Sequence, residues 1–333
     1  MSKCSIFLTT KLFRLKNLLY FLLGGTTIAA IILLTAYTKP QDVDRTTGVA
    51  TIIHNNSGQP DSLPVTQATP PQQVRAPKMP SSITFAGEAL PIDNFDSRER
   101  FDRELLAICF RHSHTLLLIK RANRYFPIIE PILKEQGLPD DFKYLAVAES
   151  SLSNVISPAG ASGFWQFMKA TAKERKLEVN SEIDERYHLE KATVKACDYL
   201  KGAKKSFGSW LMASASYNVG GGRLRSRVGE QKEEDYFDLY LNNETSRYMP
   251  RIMAIKAVLE NPARYGFHVD AEDLYEPMPA YKEVTVSGAV ASWADFAQTH
   301  NTTYRMIRIY NPWIRSSSLT NKYKKTYQVR VPK

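Results

Sequence analysis

Between about residue 98 and residue 268 the apolar residues of this chain recur at helical spacing, and no convincing alternating run interrupts them. A stretch of that kind folds into packed helices, since a sheet needs period-two patterning to bury one face. Pro139, Asp140 and Asp141 mark one helix start, and Phe142, Leu145, Ala146 and Glu149 then fall at i, i+3, i+4 and i+7. Residues 190–207 and 210–218 read as two further helices. Phe126-Pro127 is expected to open another, which Gly137 closes.

The stripe through Phe142, Leu145 and Ala146 places the Glu149 carboxylate on a face that should be buried. Burying a charge is costly unless the group is paired or takes up a proton. Glu149 also ends its helix, where the macrodipole disfavours negative charge. Both effects raise its pKa toward the range of a general acid at neutral pH. The plain alternative is a buried glutamate paired with an arginine, and this helix alone does not choose between the two.

The chain has 333 residues and 43% hydrophobic residues, enough for one sizeable core and a small second one. Its net charge of +10 suits an anionic polymer: nucleic acid, a membrane surface or a cell-wall glycan. No nucleic-acid-binding motif is present, so no nucleic-acid partner is expected. Cys4, Cys109 and Cys197 form no disulfide framework, and Cys197 shares a core stripe with Ala196, Leu200, Ala203 and Phe207. His112 and His114 are the one close histidine pair, and an HxH without a third ligand more often packs than binds metal. No metal site and no cofactor are expected.

Residues 18–37 are apolar and uncharged over about the length that spans a bilayer, and Lys3, Lys11, Arg14 and Lys16 precede them. This reads as a signal anchor with the N-terminus inside, a cleaved signal peptide being the rival. Residues 38–97 are rich in Pro, Thr, Ser, Gln and Asn and are expected to be a flexible linker.

Two segments carry further chemistry. The first, residues 157–168, has small residues that let backbone approach a ligand, then Phe164, Trp165 and Gln166. Trp165 offers a flat face for a sugar ring, or it is a core tryptophan after a tight turn. The second, residues 214–222, ends in Gly220-Gly221-Gly222, without the lysine and hydroxyl of a phosphate loop. These glycines are expected to stop a helix and leave a cleft wall open, with Tyr217 and Asn218 aimed into the cleft.

Taken in order, Glu149-Ser150, Gly160-Ala161-Ser162-Gly163-Phe164-Trp165-Gln166-Phe167-Met168, Ile183-Asp184-Glu185-Arg186 and Ser216-Tyr217-Asn218-Val219-Gly220 resemble the motifs of the family 1 lytic transglycosylases (SLT domain) over about residues 100–265. Ala215-Ser216 stands where the family usually has Ala-Ala, and Gly220-Gly221-Gly222 where it has a Gly-Pro-Gly type of turn. The resemblance implies a mainly α, lysozyme-like catalytic domain over residues 98–270. It implies cleavage of the β-1,4 bond between N-acetylmuramic acid and N-acetylglucosamine, with closure of a 1,6-anhydro ring and no consumption of water. Glu149 would act as acid and then as base. Ser150, Trp165, Gln166, Tyr217, Asn218 and Tyr248 would hold substrate and acid. Asp184 and Glu185 read as structural partners of Arg186.

Residues 281–286 and 327–332 alternate like strands, and two short helices are expected between them, near 293–297 and 302–311. This small α+β (βααβ) segment, residues 278–333, resembles a LysM module, the Asn311-Pro312 pair included, and such modules bind glycans containing N-acetylglucosamine. Lys322, Lys324 and Lys325 suit an anionic wall or a plain solvated face. The partners implied are peptidoglycan strands and, through the N-terminus, a membrane on the periplasmic side of the envelope. The alternatives are a goose-type lysozyme-like hydrolase and a non-catalytic glycan-binding scaffold.

Overall fold

The computed structural model describes residues 74–333, so the expected membrane anchor and most of the linker lie outside the described residues. Among the described residues no helix is long and apolar enough to cross a membrane. The helical spacing is realised as α1 (Phe95–Phe110), α2 (His112–Glu135), α3 (Phe142–Ser150), α4 (Lys169–Glu174), α5 (Leu189–Phe207), α6 (Trp210–Val219), α7 (Gly221–Gln231), α8 (Asn243–Ser246) and α9 (Tyr248–Glu260). The fold class read from the sequence therefore stands: a mainly α body with a small α+β end.

Local chemistry sets the ends of these helices. Asn94 caps α1 by accepting from the amides of Asp96 (3.0 Å) and Ser97 (3.2 Å). Ser209 caps α6. α2 does not begin at Pro127 as expected: it starts at His112 and continues through Pro127 and Pro131. Its flanking apolar residues, Leu118, Ile129 and Leu133, are buried, and that packing overrides the lost hydrogen bonds. Gly137, at φ +67°, does close the helix, and the Leu138 amide returns to the Leu133 carbonyl (2.9 Å).

α9 lies across α1 and α3, and α5 packs against α2 and α6. Phe101, Leu105, Phe142, Leu145, Leu200, Ile252 and Val258 form the common core, which also takes in Cys109 and Cys197. Burial pushes the Cys197 thiol up to about 12, as an inert core residue requires.

The end of the expected linker is ordered. Thr84–Phe85 (β1) and Glu88–Ala89 (β2) pair as a hairpin, with Ala86 and Gly87 both at positive φ in its turn. Phe85 is fully buried and meets the Phe142 ring edge-on at 5.0 Å. The Glu88 carboxylate accepts from the Ser209 hydroxyl (2.6 Å) and from the amides of Trp210 (2.6 Å) and Leu211 (3.1 Å), so it sits on the N-terminus of α6. The polar composition of the segment hid these two anchors.

The C-terminal unit has the expected order: β3 (Tyr281–Val286), α10 (Trp293–Thr299), α11 (Tyr304–Tyr310) and β4 (Tyr327–Pro332). The strands pair antiparallel with Val284 opposite Val329. Asn311 explains the Asn-Pro pair: fully buried, it donates to the Ile307 and Arg330 carbonyls and accepts from the Arg330 amide (2.8 Å), which ties α11 to β4. The core of this unit, built on Trp293, Ile307, Val329 and Val331, also takes in Ile183 and Tyr187 from the helical body. Backbone bonds cross at Asp184 N to Trp313 O (2.8 Å) and Arg315 N to Glu182 O (2.7 Å). Arg330 pairs with Glu190 (2.7 Å), and Lys325 with Glu178 (2.9 Å). Lys325 is therefore part of a seam within the chain, and only Lys322 and Lys324 remain of the basic trio read from the sequence.

Candidate active site

α3 is buried on almost every side: Phe142, Leu145 and Ala146 have no exposed surface, and Tyr144 and Val147 almost none. Glu149 closes this helix, part-buried, followed by Ser151 in the left-handed region (φ +54°) as C-cap. No ion pair reaches Glu149 among the described residues, which removes the arginine-paired alternative. Its partner is the hydroxyl of Tyr248, at the start of α9, which donates to its Oε1. Burial pushes Glu149 up to about 7; the Tyr248 hydrogen bond opposes the rise, the Glu244 charge adds to it and Arg251 opposes it.

The turn after α3 is held from outside. The Arg186 guanidinium donates to both carboxylate oxygens of Asp184 (Nε to Oδ1 2.9 Å and to Oδ2 3.2 Å, Nη2 to Oδ2 2.7 Å), and its Nη1 donates to the carbonyls of Gly160 (3.0 Å) and Phe167 (3.1 Å). Both ends of the 160–167 turn thus hang on one buried guanidinium. At Gly163, φ +81°, a Cβ would lie 2.0 Å from the Arg186 carbonyl oxygen, so only glycine fits. Asp184 is the expected partner of Arg186. Glu185 is not: it accepts from the Glu178 amide (2.7 Å) and pairs with Lys191.

This turn presents Gln166, itself at φ +47°. The Gln166 amide nitrogen donates to the carbonyls of Gly163 (2.7 Å) and Val155 (3.1 Å), which fixes its head group. A cavity of about 250 Å³ is lined by Gln166, Met168, Tyr199, Tyr217, Asn218 and Gly220. The Tyr217 hydroxyl donates to the Trp165 carbonyl (2.6 Å), and Asn218 Oδ1 accepts from Thr245 (3.0 Å). Burial and the Glu149 carboxylate raise the Tyr217 pKa, and burial and Glu149 do the same to Tyr248, so both phenols stay protonated as donors.

Two residues expected to touch a sugar face the core instead. Trp165 has no exposed surface, and its indole donates to Thr193 (2.8 Å), so it braces the turn and offers no ring face to a ligand. Ser150 is buried with its hydroxyl turned back to the Ala146 carbonyl (3.1 Å). The glycines after Asn218 stop the helix as expected: Gly220, at φ +88°, ends α6 and lines the cavity, while Gly221 and Gly222 already belong to the first turn of α7. Sequence reasoning missed Glu244, Thr245 and Arg251, whose link to the site is visible only once α9 packs across α3 and α8 meets α6. The run that carries Tyr248 was the one available signal.

Residues 126–239 match the family model described as Transglycosylase SLT domain, and residues 282–333 the one described as Soluble lytic transglycosylase C-terminal LysM-like domain. Two curated relatives, each called membrane-bound lytic murein transglycosylase D, from Escherichia coli K12 and Escherichia coli O6:H1, are 27% identical over 244 residues. The alignment covers 71% of this chain and 52% of theirs, so the chain spans about half the length of the curated relatives it matches. Among solved structures, the 70 kDa soluble lytic transglycosylase SLT70 of Escherichia coli is 23% identical, with a TM-score of 0.36, over 46% of this chain and 27% of that one.

Proposed function

Because this chain carries a transglycosylase SLT domain followed by a LysM-like domain and is homologous to the Escherichia coli enzymes, we propose that it is a peptidoglycan lytic transglycosylase of the cell envelope. The observation that carries the reading is Glu149: a part-buried carboxylate without an ion pair among the described residues, its pKa raised to about 7, hydrogen-bonded by Tyr248 and close enough to Tyr217 for its charge to raise that phenol's pKa.

The chemistry follows from one carboxylate used twice. Glu149 in its acid form protonates the oxygen leaving C1 of N-acetylmuramic acid, while the substrate's own acetamido group assists departure. Glu149, now a carboxylate, takes the proton of the muramoyl C6 hydroxyl as that oxygen bonds to C1. The ring closes, the acid is regenerated, and no water is consumed. A pKa near 7 suits both halves, since donor and acceptor forms are then close in free energy. Gln166, Tyr217 and Asn218 bind the sugar, and Tyr248 orients the acid. The C-terminal unit adds a second contact to the glycan, and the segment before residue 74 supplies the membrane attachment.

A second reading, a lysozyme-like hydrolase, has one observation in its favour. The exposed Glu244 lies near enough to raise the pKa of Glu149, as one member of a carboxylate pair would. Mass spectrometry of soluble products from purified sacculi separates the two. Muropeptides ending in 1,6-anhydromuramic acid, one water lighter than the hydrolysed form, are the expected result. Reducing muramic ends would assign the hydrolase, and binding without release would assign a scaffold.

A further inference from the structure

The chain leaves α3 through a constrained turn. Ser151 (φ +54°) and Leu152 (φ +53°) directly follow the helix that carries Glu149, and both lie in the left-handed region. Glycine takes this conformation freely, whereas a Cβ crowds the backbone there. Two such residues in a row relax unless the structure around them forbids it. Leu152, 1% exposed, is held by the core. Ser151 is held by its own helix, through its amide and the Val147 carbonyl (2.8 Å), and by two side chains of α2. Arg121 Nη1 donates to the Ser151 carbonyl (2.9 Å), and His114 Nε2 lies 3.0 Å from Ser151 Oγ.

His114 and Arg121 stand seven residues apart, two turns along one face of α2, and α2 packs against α3. The guanidinium is always charged, so its bond to the carbonyl is charge-assisted. Burial first, then the charges of Arg111 and Arg121, hold His114 below the usual histidine range, so its ring is neutral. Its buried Nδ1 has no hydrogen-bond partner among the described residues. Nearby positive charge favours a bare lone pair on that nitrogen over an N–H, which places the proton on Nε2 as a donor to the Ser151 hydroxyl. His112, the other member of the histidine pair read from the sequence, packs edge-on against Phe267 at 6.1 Å. Neither His114 nor Arg121 lines the cavity of Gln166, Tyr217 and Asn218.

We infer that His114 and Arg121 are positioning residues for the acid: they clamp the left-handed turn after α3 and so fix where Glu149 points. This rests on the function proposed above, in which one carboxylate must meet a leaving oxygen and then a hydroxyl. No ion pair holds Glu149 among the described residues, and the side-chain hydrogen bond it accepts comes from Tyr248 on α9. The direction of the carboxylate therefore depends on the backbone of the last turn of α3. If Ser151 relaxed out of the left-handed region, its bond to Val147 would break and that turn would fray. The carboxylate would then move off Tyr248, while the sugar contacts of the cleft stayed in place. Such a misplacement falls on the chemical step, where a shift of about 1 Å can cost about a hundredfold in rate.

Kinetics of the full chain on purified glycan strands test the clamp, with the melting temperature of each variant measured alongside. Arg121→Met and His114→Leu keep side-chain bulk and remove the donor. Each is expected to lower kcat about tenfold while KM stays within about twofold of the wild type, the pattern of lost alignment and not of lost binding. His114→Gln, whose amide nitrogen can replace Nε2, should recover most of that loss. Unchanged kcat in both donor-free variants, a loss confined to KM, or a His114→Gln no better than His114→Leu would overturn the inference. Should Arg121→Met fail to fold, Arg121→Lys takes its place, with a smaller loss in kcat expected. Exchange of the Ser151 amide hydrogen with deuterium, followed by NMR, reads the clamp without any turnover. It should run about tenfold faster in the Arg121 variant than in the wild type, and an unchanged rate overturns the inference. A wild type that cleaves no strand would count against the enzymatic function, and the exchange rate would then judge the clamp by itself.

Discussion

Glu149 carries two consequences that pull in opposite directions. Its folded pKa of about 7 lies above the ordinary carboxylate value. A carboxylate raised in the native state contributes most to stability at low pH, and that contribution is lost as pH rises through the folded value. Glu149→Gln, which never ionises, should therefore be more stable than the wild type at pH 8 and lose the advantage below about pH 5. The same variant should release no muropeptides, because amide nitrogen cannot cycle a proton; near-normal turnover would sink the assignment. Activity of the wild type should fall about tenfold per pH unit above pH 7, as the acid form is depleted. Tyr248→Phe removes the hydrogen bond that favours the charged form. Its alkaline limb should move to higher pH, and an unmoved profile of kcat/KM would deny Tyr248 its role in tuning the acid.

At the scale of elements, the site depends on short segments held by single anchors. The 160–167 turn hangs on Arg186 and on the absence of a side chain at Gly163. The β1–β2 hairpin fastens the start of α6, and so the helix bearing Tyr217 and Asn218, through Glu88. Burial alone would raise the Glu88 pKa, but hydrogen bonds from Ser209, Trp210, Leu211 and Lys204 hold it below the usual range. A carboxylate lowered in the native state stabilises above its unfolded pKa and less as pH falls through the folded one. Glu88→Gln should cost about 1–2 kcal/mol at pH 7, with the difference narrowing below pH 4. Urea unfolding at the two pH values measures it, and a pH-independent difference would mean that Glu88 acts by packing alone.

Across the whole molecule, the C-terminal unit shares its core with the body. Removing residues 278–333 would expose Ile183 and Tyr187 and take from Glu178, Glu182 and Glu190 their partners Lys325, Thr320 and Arg330. Two newly exposed apolar side chains cost about 3–5 kcal/mol. The truncated chain should therefore melt at a lower temperature than the intact one. Since Asp184 lies on this seam beside Arg186, which holds the turn of Gln166, truncation should also lower glycan cleavage. A truncated chain with unchanged melting and turnover would mean that the unit is a separable appendage. Sacculus pull-down with and without residues 278–333 tests whether it binds glycan.

The sequence by itself determined the helical body, the βααβ end and the place of Glu149 on the inward stripe of its helix. Each rests on local periodicity, and a period of 3.6 or 2 leaves little freedom in which face is buried. It also pointed to Asp184 with Arg186, two residues apart, and to Tyr217, Asn218 and Tyr248 through the resemblance. The tertiary structure alone decided the rest. Trp165 and Ser150 look equally able to face a cleft or a core, and only the packing of the 160–167 turn against α5 sends the indole to Thr193. α2 runs through two prolines because its flanks are buried on both sides of them. Glu88, Glu244 and Arg251 act on residues far away in the chain, and no local pattern records a charge whose partner arrives only when distant helices cross.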